Sequence, residues 1–155
     1  LQRVNSGSVS VGGEKHADIG RGLVILVGVM DGDTEKDAEF LAGKCAHLRI
    51  FPRENKPMDR SVKDIGGECL AVSQFTLCAN ARKGRRPSFS SAMDPAPAEE
   101  LFNYFCDELS GSGLTVKKGV FGESMLVEIA NDGPVTIILN SRETRRLNIV
   151  DRSDK

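Results

Sequence analysis

Three polar, hydrogen-bonding side chains, Ser73, Gln74 and Thr76, follow directly on the apolar stretch Cys69-Leu70-Ala71-Val72 in the run Ser73-Gln74-Phe75-Thr76-Leu77. A hydroxyl becomes a nucleophile only when a base activates it. Neither His nor Lys stands beside Thr76 in sequence, so a positioning role is preferred to attack. Strand alternation, with Gln74 and Thr76 facing outward, accounts for the same pattern and is the plainer reading of it. A second segment, Asn131-Asp132-Gly133-Pro134-Val135-Thr136, is ordinary hairpin punctuation. Its Gly-Pro bond carries no special signal, because X-Pro bonds are cis in only about 5–6% of folded cases. Third, Arg82-Lys83-Gly84-Arg85-Arg86 sets four cations around a glycine. A solvated surface and a loop that holds phosphates explain it equally well. The pair Glu99-Glu100 opens a helix, where acids suit the dipole.

Other chemistries lack their signatures. There is no G-x-S-x-G elbow, no P-loop and no dinucleotide fingerprint. Cys45, Cys69, Cys78 and Cys106 form no C-x-x-C pair, and His16 and His47 sit at no metal-ligand spacing. No metal and no cofactor is expected. Unpaired cysteines in a chain with room for a core suggest a reducing, cytoplasmic setting. No signal peptide is read at the start, which opens on Leu1 rather than Met.

The elements that must carry these segments follow from periodicity. Val9 and Val11 alternate with Ser8 and Ser10 before Gly12-Gly13, a strand entering a hairpin. Leu23 to Val29 is a near-continuous β-branched run, which predicts a strand buried on both faces. Thr34 with Asp37 resembles a capping box and predicts a helix from about Glu35 to His47. Arg49-Ile50-Phe51 reads as a short strand ended by Pro52, and Asn55 to Met58 as loop. A strong strand is expected from Glu68 to Leu77. A second helix begins near Pro95, with Leu101, Phe102, Phe105 and Leu109 as its stripe, and ends at Gly111-Ser112-Gly113. Short strands are expected at Thr115 to Lys117, Met125 to Ala130 and Val135 to Leu139. Two helices amid about seven strands predict an α+β domain whose curved, barrel-like sheet has the helices outside.

Composition bounds the rest. The 155 residues suit one domain, and 39% apolar with 28% charged residues is an ordinary balance for a folded chain. Twenty-one basic against 22 acidic residues give a net charge of −1, so a polyanion would have to meet a local patch. The longest apolar run, Leu23 to Met30, is far short of the roughly 20 residues of a membrane span, and no membrane role is expected.

The chain also resembles the D-aminoacyl-tRNA deacylase family. The likeness runs through Gln2-Arg3-Val4, Ile19-Gly20-Arg21-Gly22-Leu23, Leu26-Val27-Gly28-Val29, Leu48-Arg49-Ile50-Phe51 and Ser61-Val62-Lys63-Asp64 with Gly66-Gly67. It continues through Ser73 to Leu77, Arg82 to Phe89 and Asn131 to Thr136, in order, as far as about Ser141. The resemblance implies hydrolysis of the ester joining a D-amino acid, or glycine, to the terminal adenosine of tRNA. It implies catalysis at Ser73, Gln74, Phe75 and Thr76 through backbone donors and the substrate's 2′-hydroxyl. It further implies a homodimer in which a cis Gly133-Pro134 motif, steadied by Arg3, enters the other subunit's pocket and excludes L side chains. Phe121, Gly122 and Met125 would line the adenosine pocket, and Arg82, Lys83, Arg85 and Arg86 would meet tRNA phosphates. Cys78 and Asn80 depart from the family pattern, and the family's first few residues have no counterpart here. Residues 1–141 are taken as the domain and 142–155 as a polar tail whose Arg142, Arg145 and Arg146 are solvated or touch tRNA. Two other readings remain: a relaxed-selectivity paralogue that removes L-alanine from tRNA, against which the intact motifs argue, and a non-enzymatic nucleic-acid binder.

Overall fold

A computed structural model describes residues 1–143. Arg145, Arg146 and the rest of the expected tail lie outside the described residues. Ten-residue strand β1 (Gln2–Val11) is the organising element. It pairs antiparallel with β2 (Glu14–Ile19), β3 (Gly22–Val27) and the last strand, β8 (Met125–Thr136). β3 continues in parallel to β6 (Glu68–Ser73), and β6 to β7 (Thr115–Lys118). The sheet curls into a nearly closed barrel. Lys117 on β7 donates to the Asp18 carbonyl on β2 at 2.6 Å, tying the two together. Helices α1 (Glu35–His47) and α2 (Pro95–Gly111) pack side by side on the outside.

The β-branched run fills both sides of the sheet, as its composition requires. Leu23 and Ile25 of β3, with Cys69 and Ala71 of β6, meet Ala42, Cys45, Phe102, Phe105 and Leu109 of the helices. Val24, Leu70 and Val72 point the other way, onto Val4, Val9 and Ile19. At the start of α1 the Asp37 carboxylate accepts the Thr34 N–H at 2.9 Å, so Asp does the work of the usual Glu.

Four expectations need correction. The strand expected to Leu77 ends at Ser73: Gln74 N–H still donates to the Val27 carbonyl, after which Phe75–Cys78 turns into a 3-10 helix. The short strand is β4 (Phe51–Arg53), not 49–51, and the expected loop holds β5 (Lys56–Arg60). These two form a separate two-stranded sheet, in which Pro52 and Pro57 are tolerated because each strand has a free edge. The expected strands Met125 to Ala130 and Val135 to Leu139 with a hairpin between them are one strand, β8, which runs past the Asn-Asp-Gly-Pro signal along β1.

Candidate active site

β6 delivers Ser73 to the mouth of a cavity of about 520 Å³. Ser73, Gln74 and Phe75 form one wall; Phe121, Gly122 and Met125, from the turn after β7 and the start of β8, form another. Two groups some 50 residues apart in sequence are thereby brought together. The 3-10 turn is pressed close to the chain leaving β3: a Cβ on Gly28, the residue after that strand, would stand 2.9 Å from Leu77 Cβ, so glycine suits that position. At the start of this turn the Phe75 and Thr76 N–H groups have no partner within it, as at any helix start. Such free donors suit a developing oxyanion.

Thr76 does not line the cavity. Its Oγ1 accepts a hydrogen bond from Gln74 Nε2, which fixes the two side chains against each other. Neither His16 nor His47 reaches the cavity, and His47 Nδ1 pairs with the Gly43 carbonyl 3.0 Å away. Phe121 serves two surfaces at once, lining the cavity and packing on Phe102 with ring centroids 6.2 Å apart.

Sequence reasoning missed the third wall, Phe89 with Met93, Asp94 and Pro95 at the start of α2. Phe89 meets Phe75 edge-on at 5.1 Å. Phe89 also roots the basic loop beside the cavity. Reciprocal Asn80–Ser88 backbone bonds of 2.7 and 2.9 Å close that loop at its base. Arg82, Lys83, Arg85 and Arg86 are all exposed, and none of their side chains is ion-paired among the described residues.

Gly133 and Pro134 do not line this cavity within the chain. They sit on a bulge of β8: Gln2 faces Thr136 and Val4 faces Asn131, so residues 132–135 stand opposite Arg3 alone. Both are exposed, and the peptide bond between them is cis. Buried Arg3 braces the bulge. Its Nε donates to the Asp132 carbonyl at 3.2 Å and pairs with the Asp132 carboxylate at 3.0 Å. Its Nη1 donates to the Ile50 carbonyl at 2.7 Å. From within β8, Asn131 Oδ1 accepts the Val135 N–H, and its Nδ2 donates to Gln2 Oε1 at 2.7 Å. Gly133 has φ of +120°, and a Cβ there would lie 2.9 Å from both Arg3 and Val135, so position 133 of the bulge calls for glycine. Hairpin chemistry at Asn131 concealed this role, because the clamp depends on a neighbour more than a hundred residues away.

Arg142, expected to be solvated or on tRNA, instead donates to the Asp31 carbonyl at 2.7 Å and to Asp33 at 2.9 Å. Among the described residues no group of His, Cys, Asp and Glu could hold a metal, and no helix is long and apolar enough to cross a membrane.

The family model described as D-Tyr-tRNA(Tyr) deacylase matches residues 1–140. A D-aminoacyl-tRNA deacylase of Thermodesulfovibrio yellowstonii is 51% identical over 142 residues, 92% of this chain and 97% of that protein. Another, of Heliobacterium modesticaldum, is 53% identical over 142 residues, 92% of this chain and 95% of that protein. Among solved structures, a c-Myc DNA Unwinding Element Binding Protein superposes with a TM-score of 0.83 at 43% identity, over 90% of this chain and 95% of that one. A probable eukaryotic D-amino acid tRNA deacylase shares the fold, with a TM-score of 0.75 at 20% identity, over 86% of this chain and 92% of that one. With a match from Leu1 to Asn140 and half of the residues shared with these bacterial relatives, the chain belongs to the D-Tyr-tRNA deacylase family.

Proposed function

We propose that this chain is a D-aminoacyl-tRNA deacylase, a carboxylic ester hydrolase that frees D-amino acids, and glycine, from tRNA in the cytoplasm. The observation that carries this reading is the single cavity joining Ser73, Gln74 and Phe75 to Phe121, Gly122 and Met125 in a chain of this family. The terminal adenosine lies against Phe121 and Met125, a flat and a polarizable surface suited to a base. The ester carbonyl meets the Phe75 and Thr76 N–H groups, which stabilise the oxyanion as water adds. An aminoacyl ester is activated, so positioning and oxyanion stabilisation suffice without a Ser–His pair. The substrate's own 2′-hydroxyl assists the attacking water. Thr76, held by Gln74, positions this segment and does not attack.

Chirality is read by backbone. In a homodimer, Gly133 and Pro134 of one subunit enter the cavity of the other, where an L side chain collides and hydrogen or a D side chain does not. Their exposure, and their absence from their own chain's cavity, support a role toward a second copy. So do the exposed apolar side chains of Phe75, Leu77, Leu126 and Ile138. Arg3 holds the selector rigid. Arg82, Lys83, Arg85 and Arg86 take tRNA phosphates next to the cavity. The domain spans residues 1–141.

A second reading, DNA binding without catalysis, is favoured by the structural neighbour named for a DNA unwinding element and by the unpaired cations of the loop. A three-substrate assay separates the possibilities. Cleavage of D-tyrosyl-tRNA supports the proposal, cleavage of L-alanyl-tRNA in its place supports a relaxed-selectivity paralogue, and DNA binding with neither cleavage supports the binder.

A further inference from the structure

A short strip of chain ties the third wall of the cavity to the barrel. After β3 ends at Val27, residues 29–31 run on beside residues 91–93, which lead into α2. Met93 N–H donates to the Val29 carbonyl at 3.1 Å, and Asp31 N–H to the Ser91 carbonyl at 3.0 Å. Between these bonds Met30 and Ala92 form an antiparallel bridge. Val29, Ala92 and Met93 line the cavity. Gly28 and Met30 line a second cavity, of about 420 Å³, on the other side of the strip. With cavities on both sides, hydrogen bonds carry more of the strip's support than packing does.

Arg142 clamps the strip from the second cavity, which it also lines. Its Nη2 donates to the Asp31 carbonyl at 2.7 Å and to Asp33 Oδ1 at 2.9 Å. The other carboxylate oxygen, Asp33 Oδ2, accepts the Met30 N–H at 2.8 Å. One guanidinium and one carboxylate thus hold both Met30 and Asp31, the two residues that face Ala92 and Ser91. The Asp33 side chain is only 15% exposed, so these bonds keep much of their charge-assisted strength; Arg142 is 48% exposed, so it can be replaced without opening the core. Arg142 lies two residues past the segment that matches the family model.

We infer that Arg142 is a positioning residue for deacylation: through Asp33 and residues 30–31 it sets where Ala92 and Met93 stand against the bound ester. The inference rests on the proposed deacylase reading and adds to it a residue outside the family match. The oxyanion donors are anchored separately, because Gln74 N–H donates to the Val27 carbonyl, within β3, at 2.8 Å. The Cys78 thiol does reach the Val29 carbonyl, at 3.4 Å, but a thiol is a weak donor. Loss of the clamp therefore moves a binding wall and leaves the reacting geometry in place, which raises KM and largely preserves kcat.

The test measures kcat and KM on D-tyrosyl-tRNA, with Tm alongside, for the native chain and for Arg142→Ala, Arg142→Lys, Asp33→Ala and the double variant Arg142→Ala with Asp33→Ala. Arg142→Ala should raise KM roughly three- to thirtyfold, the range for a residue that acts through a contact network. Its kcat should stay within about twofold of the native value. Arg142→Lys should restore most of the KM, since both bonds leave one nitrogen and an ammonium can donate both. The double variant should bind no worse than Asp33→Ala, because the two residues act as one unit. An unchanged KM in folded Arg142→Ala, whether or not its Tm falls, overturns the inference and leaves the deacylase reading intact. So does a Lys variant as impaired as the Ala variant, or additive losses in the double variant. A native chain that leaves D-tyrosyl-tRNA uncleaved overturns both.

Discussion

Replacing Arg3 by Ala removes the brace beneath the β8 bulge, and its cost can be worked from the bonds that Arg3 makes. Two charge-assisted hydrogen bonds disappear, to the Ile50 carbonyl at 2.7 Å and to the Asp132 carbonyl at 3.2 Å. Bonds to a charged group contribute about 1.5–3 kcal/mol each. The ion pair to Asp132 adds less: the Arg3 side chain is 10% exposed but Asp132 is 33% exposed, so water resolvates the carboxylate left behind. Allowing for water that enters to satisfy the two carbonyls, the expected loss is about 2–4 kcal/mol. For a domain of this size that is a fall in Tm of roughly 5–15 °C. Differential scanning calorimetry measures it. Asp132→Asn, which keeps most of the volume and removes only the charge, should cost about 1 kcal/mol or less. In the folded fraction of Arg3→Ala, D-aminoacyl cleavage should fall or rejection of L-aminoacyl-tRNA should relax. A variant within about 2 °C of the native Tm, with unaltered activity and selectivity, refutes the bracing role.

Thr76→Ala should keep much of the deacylase activity, because its hydroxyl is occupied by Gln74 and no base adjoins it; a single-turnover rate as low as that of a missing nucleophile in a folded variant would assign attack to Thr76. Arg85→Ala with Arg86→Ala should weaken tRNA binding and reduce the slope of log K against log salt by about 0.7–0.9 for each phosphate no longer neutralised. Cleavage of a short aminoacyl-adenosine should change much less, and equal loss on both substrates would place the loop in the pocket or the fold instead. Burial raises the Cys45 thiol from its ordinary 9.0 to about 11 and the Cys69 and Cys106 thiols to about 12. All three should label slowly with a thiol reagent at neutral pH until the chain is unfolded. Because the folded values lie above the unfolded one, their contribution to stability is complete below about pH 9 and is lost as pH rises through about 11–12. Tm measured from about pH 8 to about pH 11 should fall accordingly, and a flat profile would contradict the burial.

Much of the fold was legible because periodicity and local chemistry agreed. The run from Leu23 reads as a strand buried on both faces, and Thr34 with Asp37 marks the start of α1 where it stands. The errors arose where a tertiary partner outweighed local pattern. Ser73 to Leu77 alternates like a strand, yet the ladder runs out at Val27 and the chain turns into a 3-10 helix. Asn131 to Pro134 reads as a hairpin, yet pairing along β1 and the Asn131 and Arg3 clamps carry it as a bulge. In the site, residue-type signals marked Gln74 and the loop cations, and family likeness marked Phe121 and Met125. Phe89, Asp94 and Glu123 were invisible because no local pattern sets them apart; only folding α2 and the turn before β8 around the same cavity does so.

The central claim is that this cavity hydrolyses the D ester and refuses its mirror image. It is tested most directly by single-turnover hydrolysis of D-tyrosyl-tRNA and L-tyrosyl-tRNA, matched in tRNA and amino acid, with the native chain in excess. The D ester should disappear rapidly while the L ester persists at its uncatalysed rate. Equal rates on the two esters, or no acceleration of the D ester, would contradict the account.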